Sequence, residues 1–240
     1  MGKFQLHLIT EPKRSFSGLL HAVEQAVQSG VDWVQLRDKS ASAQTMYRQA
    51  TELRGAISPS PAAAGEGWGE GTPRLSINDR LDVALAVQAH GVHLAAQSLP
   101  VEAAVGLAHN RLIVGRSVHG LDEAVAAAEA GADYLTFGHV FPTSSKAGLE
   151  PRGVAQLAQI VQAVEVPVLA IGGINGRNLD QVLATGCAGI AVISAILSAP
   201  DPGQAAAELR RALDGSPHQP RHSFESLEDA HALDPEPTTV

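Results

Sequence analysis

The sequence predicts an α/β chain folded as one (β/α)8 TIM barrel, and three observations predict it. One phrase recurs: a helical stretch, a glycine, then a short β-rich run. It appears at Gly30-Val31-Asp32-Trp33-Val34-Gln35-Leu36, Gly91-Val92-His93-Leu94, Gly131-Ala132-Asp133-Tyr134-Leu135 and Gly186-Cys187-Ala188-Gly189-Ile190-Ala191-Val192. Filling the gaps gives eight strand-then-helix units in 240 residues, the length of one barrel domain. The competing architecture, an open doubly wound sheet, would carry a Gly-rich phosphate turn after its first strand, and Thr10-Glu11-Pro12-Lys13 is not one.

The elements follow in order. Glycine just past a helix end supplies a left-handed cap, and an apolar run behind it is a strand buried on both faces. This places strands near 4–10, 31–37, 74–78, 91–95, 111–116, 133–138, 166–171 and 188–193. Helical patterns follow near 16–29, 41–57, 80–89, 100–108, 120–130, 153–164, 175–185 and 202–213. The barrel is expected to span 1–214, with two segments outside its pattern. Residues 58–73, rich in Gly, Pro and Ala, are expected to be a flexible insertion; Trp68 within it belongs to a loop before it belongs to a partner interface. Residues 215–240 are Pro-, His- and acid-rich without periodicity, and a disordered tail is expected. Its His218, His222 and His231 are too irregularly spaced to suggest more than a weak metal site.

Composition narrows the function. With 45% hydrophobic residues the chain can bury a full core. Much of the net charge of −8 sits in Asp214, Glu225, Glu228, Asp229, Asp234 and Glu236, so the barrel itself is only mildly acidic. No basic stripe points to nucleic acid, and no long apolar run points to a membrane. The N-terminus enters a strand within a few residues, unlike a signal peptide, so the expected compartment is the cytoplasm. Cys187, the single cysteine, rules out an internal disulfide and reads as packing.

In such a barrel the reactive face lies at the C-terminal strand ends. Those ends gather Gln35, Arg37 and Lys39, Asn78 and Asp79, His93, Ser117 and His119, His139 with Thr143 and Lys146, Gly172 and Gly173, and Ser194. Loops after the seventh and eighth strands commonly bind phosphate through backbone N–H groups, which assigns that role to Gly172, Gly173 and Ser194. Arg37, Lys39 and Lys146 suit a second anion, Arg37 through its planar fork. His139 follows Gly138 at a strand end, where a neutral imidazole can take and return a proton near pH 7. A zinc site of His93, His119 and His139 lacks a His-x-His pair and an acidic fourth ligand, so no metal is expected. Asp79 and Asp82 suit magnesium or, equally, a helix cap. Glu102, Asp122 and Glu123 sit in early helical turns and complement the helix dipole.

Val34-Gln35-Leu36-Arg37-Asp38-Lys39, Ile77-Asn78-Asp79-Arg80, Gly91-Val92-His93-Leu94, Gly115-Arg116-Ser117-Val118-His119, Ala170-Ile171-Gly172-Gly173-Ile174 and Val192-Ile193-Ser194-Ala195-Ile196 appear in this order. Together they resemble the thiamine phosphate synthase superfamily over roughly residues 4–213. Synthases typically read Gly-Pro-hydrophobic-aromatic-Pro-Thr after the sixth strand, where this chain has His139 in place of the proline. They also read His-hydrophobic-Gly-Gln-Glu/Asp-Asp after the fourth strand, the last Asp helping to bind magnesium; Ser98 stands at that position. Gly115–His119 and Phe137–Phe141 resemble instead the thiazole tautomerase (TenI-type) branch.

That resemblance implies an isomerase of thiamine biosynthesis, converting a carboxylated thiazole phosphate to its aromatic form with His139 as acid/base. It implies phosphate binding by Gly172, Gly173, Ile193 and Ser194, with Arg37, Lys39, Asn78, Ser117, His119 and Lys146 around the substrate. Aromatisation would drive the reaction, so no cofactor is implied; a homodimer is. The alternatives are a magnesium-dependent thiamine phosphate synthase, joining a pyrimidine pyrophosphate to the thiazole phosphate, or a non-catalytic protein that only binds the thiazole phosphate.

Overall fold

A computed structural model describes residues 2–12, 15–57, 72–225 and 227. Its elements, in chain order, begin with β1 (Gln5–Ile9), α1 (Phe16–Gln28), β2 (Trp33–Leu36), α2 (Ala43–Ile57), β3 (Arg74–Asn78) and α3 (Leu81–Ala86). Then come β4 (Gly91–Leu94), α4 (Val101–Ala108), β5 (Ile113–Val118), α5 (Leu121–Glu129), β6 (Tyr134–Gly138) and α6 (Gly153–Ala163). The chain continues through β7 (Val168–Ile171), α7 (Leu179–Leu183), β8 (Gly189–Val192), α8 (Ser194–Leu197) and α9 (Pro202–Asp214). Each strand pairs in parallel with the next, and β8 returns to β1 through Leu6 opposite Ile190 and Leu8 opposite Val192, closing the barrel.

Every expected strand and helix is present. The sequence reading missed α8, a single turn directly behind β8, because four residues are too few to show a period. It also drew α3 and α7 too long.

Alternation along the strands divides the apolar residues between two cores. Leu6, Leu8, Val34, Leu36, Leu75, Ile77, Val92, Leu94, Leu135, Phe137, Ala170 and Ile190 belong to the large core shared with the helices. Trp33, Ile113, Tyr134, Leu169 and Ala188 form a smaller one with Phe224. This second core fills the barrel's interior at its N-terminal end and makes a solid floor.

The recurring Gly-x-Asp phrase has a structural purpose. Asp32 accepts the backbone N–H of Leu6 at 2.8 Å, and Asp133 accepts that of Val114 at 2.6 Å. In each case the aspartate ahead of a strand clips the strand before it. Asp32 is also bonded by Lys3 Nζ at 2.7 Å and Arg210 Nη1 at 3.0 Å, which ties β1 and β2 to α9.

At the edges one expectation falls largely outside the described residues and one changes. Of the 58–73 insertion, residues 58–71 with Trp68 lie outside the described residues. The tail expected from Gly215 does not leave the barrel at once: Phe224 is fully buried, edge-on to His7 at 5.2 Å between ring centroids and against Tyr134 at 5.1 Å. Burying one aromatic side chain is enough to hold a segment that has no helical or strand period. His218 meets Asp180 and His222 meets Glu165, each an ordinary acid partner. Among the described residues no three His, Cys, Asp or Glu side chains come together in a way that could hold a metal. His231 and residues 226 and 228–240 lie outside the described residues.

No described helix is long and apolar enough to cross a membrane. Cys187 is buried, and burial pushes its thiol up to about 11, in keeping with a packing role.

Candidate active site

The C-terminal strand ends open into a cavity of about 330 Å³. Arg37, Lys39, Asn78, Ser117, His119, His139, Lys146, Gly172, Gly173, Ile193 and Ser194 all line it. The sequence reading therefore gathered one site from six different strand ends. It missed Glu11, Thr136 and Ser145, which also face the cavity, whereas Gln35, expected at the end of β2, does line it. For Thr136 a signal existed: it shares the inward face of β6 with Tyr134 and Gly138, a polar residue inside an apolar run.

The loop after β7 and the start of α8 line one side of the cavity. Gly172 and Gly173 adopt φ of 101° and 67°, the left-handed region. Their small size also serves the fold: a Cβ on Gly172 would meet His139, and one on Gly173 would meet Phe141 and Pro142. The close approach that requires glycine is thus to the loop after β6, as well as any approach to an anion. Ile193, Ser194 and Ala195 start α8 beside them, with the first-turn N–H groups that a helix leaves unpaired.

Arg37 and Lys39, behind β2, and Lys146, behind β6, also line the cavity, and among the described residues none of the three has an ion-pair partner. Lys146 sits on a 3-10 turn, Ser144–Lys146, in the loop after β6. His139 holds that loop. Its Nε2 lies 3.2 Å from the Leu149 carbonyl, which only accepts, so Nε2 carries the proton and Nδ1 is left as an acceptor. His119 is fixed in the opposite sense: Nδ1–H donates to the Gly138 carbonyl at 2.9 Å, while its backbone N–H donates to Glu123 Oε2 at 2.7 Å.

The cavity also has a polar floor. Gln35 Nε2 donates to Asn78 Oδ1 at 2.9 Å, and Asn78 Nδ2 donates to Asp79 Oδ2 at 2.6 Å. His93 is buried, with Tyr134 Oη 3.0 Å from Nδ1 and Ser117 Oγ 2.8 Å from Nε2. Burial holds the His93 pKa down to about 4, so the ring is neutral near pH 7. Asp79 is neither a cap nor a cavity-lining group. Its left-handed backbone, φ 63°, turns the carboxylate onto the loop after β4. Arg80 caps α3 without a side-chain bond, and Asp82 pairs with Arg80 Nε at 2.8 Å instead.

Residues 6–196 match the thiamine monophosphate synthase family. The chain belongs to that family. It is 41% identical to a thiamine-phosphate synthase of Pyrococcus abyssi over 88% of this chain and 96% of that one. A thiamine-phosphate synthase of Methanospirillum hungatei is 43% identical over 76% of this chain and 84% of its own length. Among solved structures, a thiamine phosphate pyrophosphorylase from Pyrococcus furiosus superposes with a TM-score of 0.76 at 39% identity, covering 89% of this chain and 96% of that one. A 3-hexulose-6-phosphate synthase, 18% identical with a TM-score of 0.65 over 87% of this chain and 99% of that one, shares the fold.

These relatives correct the tautomerase expectation. They are named as synthases, which are transferases, and the likeness runs over most of the barrel, whereas the isomerase reading rested on His139 and a few flanking residues. The geometry supplies a physical reason for caution about that one residue: one of its two ring nitrogens is engaged in pinning the loop that carries Lys146.

Proposed function

We propose that this chain is a thiamine-phosphate synthase, joining a pyrimidine pyrophosphate to a thiazole phosphate with release of pyrophosphate. One observation carries the reading: a single cavity is lined both by the glycine loop after β7 with the start of α8 and by three cations without ion-pair partners among the described residues, and this reaction brings together two phosphorylated substrates. The relatives' name agrees with it.

In this reading the thiazole phosphate sits against Gly172, Gly173, Ile193 and Ser194. The pyrophosphate faces Arg37, Lys39 and Lys146, with Asn78, Ser117 and His119 around the heterocycles. The bond from the pyrimidine-bearing carbon to pyrophosphate breaks as the bond to the thiazole forms. Negative charge then grows on the leaving group, where fixed cations in a partly closed cavity stabilise it most. Holding both substrates in one orientation supplies the remainder of the advantage.

Magnesium, which the resemblance implies for a synthase, does not fit the residues present. Asp79, the carboxylate behind β3, already accepts hydrogen bonds from Asn78, from the Ala95 N–H at 2.9 Å and from Ser98 Oγ. Ser98 offers a neutral oxygen where a second carboxylate would be needed, and this hard cation favours charged oxygens. No step is assigned to a metal.

Incubating the protein with both substrates tests the proposal. The expected result is condensed product and pyrophosphate in equal amounts. Turnover of the thiazole phosphate alone, with no pyrophosphate released when the pyrimidine substrate is present, would overturn it.

A further inference from the structure

The interior of the barrel contains a hydrogen-bonded chain that runs from its floor to the cavity. Tyr134 is buried in the floor core, and Gly115 makes room for it: a Cβ there would strike the phenol ring. From the phenol the chain passes through His93 to Ser117, over 3.0 Å and then 2.8 Å. We infer that Tyr134 is a positioning residue that fixes the direction of this chain, so that Ser117 points its hydroxyl proton into the cavity.

The argument is one of donors and acceptors. Among the described residues, His93 Nδ1 is the hydrogen-bond partner of the Tyr134 phenol. A buried O–H left unpaired is costly, so the phenol donates to Nδ1. Burial also raises the phenol's pKa, which keeps that proton in place. The neutral imidazole has one proton, and with Nδ1 accepting it must lie on Nε2. Nε2–H then donates to Ser117 Oγ. The serine oxygen is thereby an acceptor toward the histidine, and its own proton is free for a group in the cavity. Reversing the chain would strand the phenol proton in an apolar floor. Linked bonds of this kind polarise one another in the same sense, which strengthens the terminal donor.

Ser117 is therefore a donor, and it selects an acceptor on the ligand: a ring nitrogen lone pair or a phosphate oxygen. Which of the two it meets rests on the synthase reading; the direction of the chain does not.

Two measurements test this. A long-range proton–nitrogen correlation spectrum of the protein labelled at histidine, with the His93 signals identified by their loss in His93→Asn, reads the tautomer without substrate. The expected result is a proton on Nε2 and a bare Nδ1 in the wild type, giving way to a mixture in Tyr134→Phe. A proton on Nδ1 in the wild type overturns the inference, whether or not the protein condenses the two substrates. The second measurement is a double-mutant cycle in turnover. Tyr134→Phe should lower kcat about tenfold, the scale of one ordinary hydrogen bond, and have little further effect once Ser117→Ala is present. An equal loss in both backgrounds would make Tyr134 a packing residue and overturn the relay.

Discussion

Ser98 donates its hydroxyl proton to the carboxylate of Asp79, and both oxygens take a bond from the same backbone N–H, that of Ala95. The aspartate is thus satisfied by the loop after β4, and its charge is spent in holding that loop against the end of β3. A cation arriving here would have to displace neutral donors from a single carboxylate. Replacing Ser98 by Asp should therefore raise the affinity for Mg²⁺ or Mn²⁺ by about tenfold or more, since hard cations gain most from added carboxylate oxygens. Calorimetric titration of the two proteins in the presence of pyrophosphate reads this directly. Equal affinities would show that the carboxylate count does not limit binding.

The cations and the glycine-loop side of the cavity should separate in kinetics. Arg37→Gln or Lys146→Met should lower kcat/KM for the pyrimidine pyrophosphate by about 10- to 100-fold, the cost of a charge-assisted hydrogen bond to phosphate. KM for the thiazole phosphate should change little. Initial-rate measurements with each substrate varied in turn check the split, and a uniform rise in both KM values would contradict the assignment.

Phe224 closes the floor core with His7, Trp33 and Tyr134. Phe224→Ala should lower unfolding stability by about 3–5 kcal/mol, the usual cost of emptying a buried aromatic site. Urea denaturation followed by tryptophan emission is well suited to this, because Trp33 lies 6.4 Å from the Phe224 ring. A loss under about 1 kcal/mol would mean that the segment folds over a floor stable without it.

Three desolvated histidines should make the protein acid-labile. Burial holds His90 and His93 near pKa 4 and His7 well below its ordinary 6.5. An unfolded chain takes up these protons near pH 6.5, while in the native state His90 and His93 refuse them until about pH 4 and His7 until well below 6.5. Protons accordingly favour unfolding across that interval. The native advantage is complete above 6.5 and declines as pH falls, by up to about 1.4 kcal/mol per pH unit for each histidine. Urea midpoints at pH 7, 6 and 5 should move steadily downward; a flat profile would refute it.

Much of this architecture was legible because glycine and strand alternate with so regular a phrase, and because a barrel places all its strand ends on one face. Arg37, Asn78, Ser117, His139, Gly173 and Ser194 could be assigned to one mouth on that ground alone. Other features depend on pairings between distant strands, which no local pattern records. The link from Tyr134 to His93 to Ser117 needs three strands in register. Phe224 stands alone among prolines, histidines and acids, so its burial left no period to read. The reaction class was misjudged for a related reason: His139 is a single position, and what its imidazole bonds to depends on Leu149, ten residues away across a loop.

The ring of strands has a bearing on how such a molecule emerges from the ribosome. β1 finds one of its two neighbours, β2, early, but its other edge stays open until β8 is made. The seal beneath comes later still, when residue 224 is added. Neither the ring nor its base can be complete before those residues are made, and Ser194 joins the cavity lining only thirty residues ahead of Phe224.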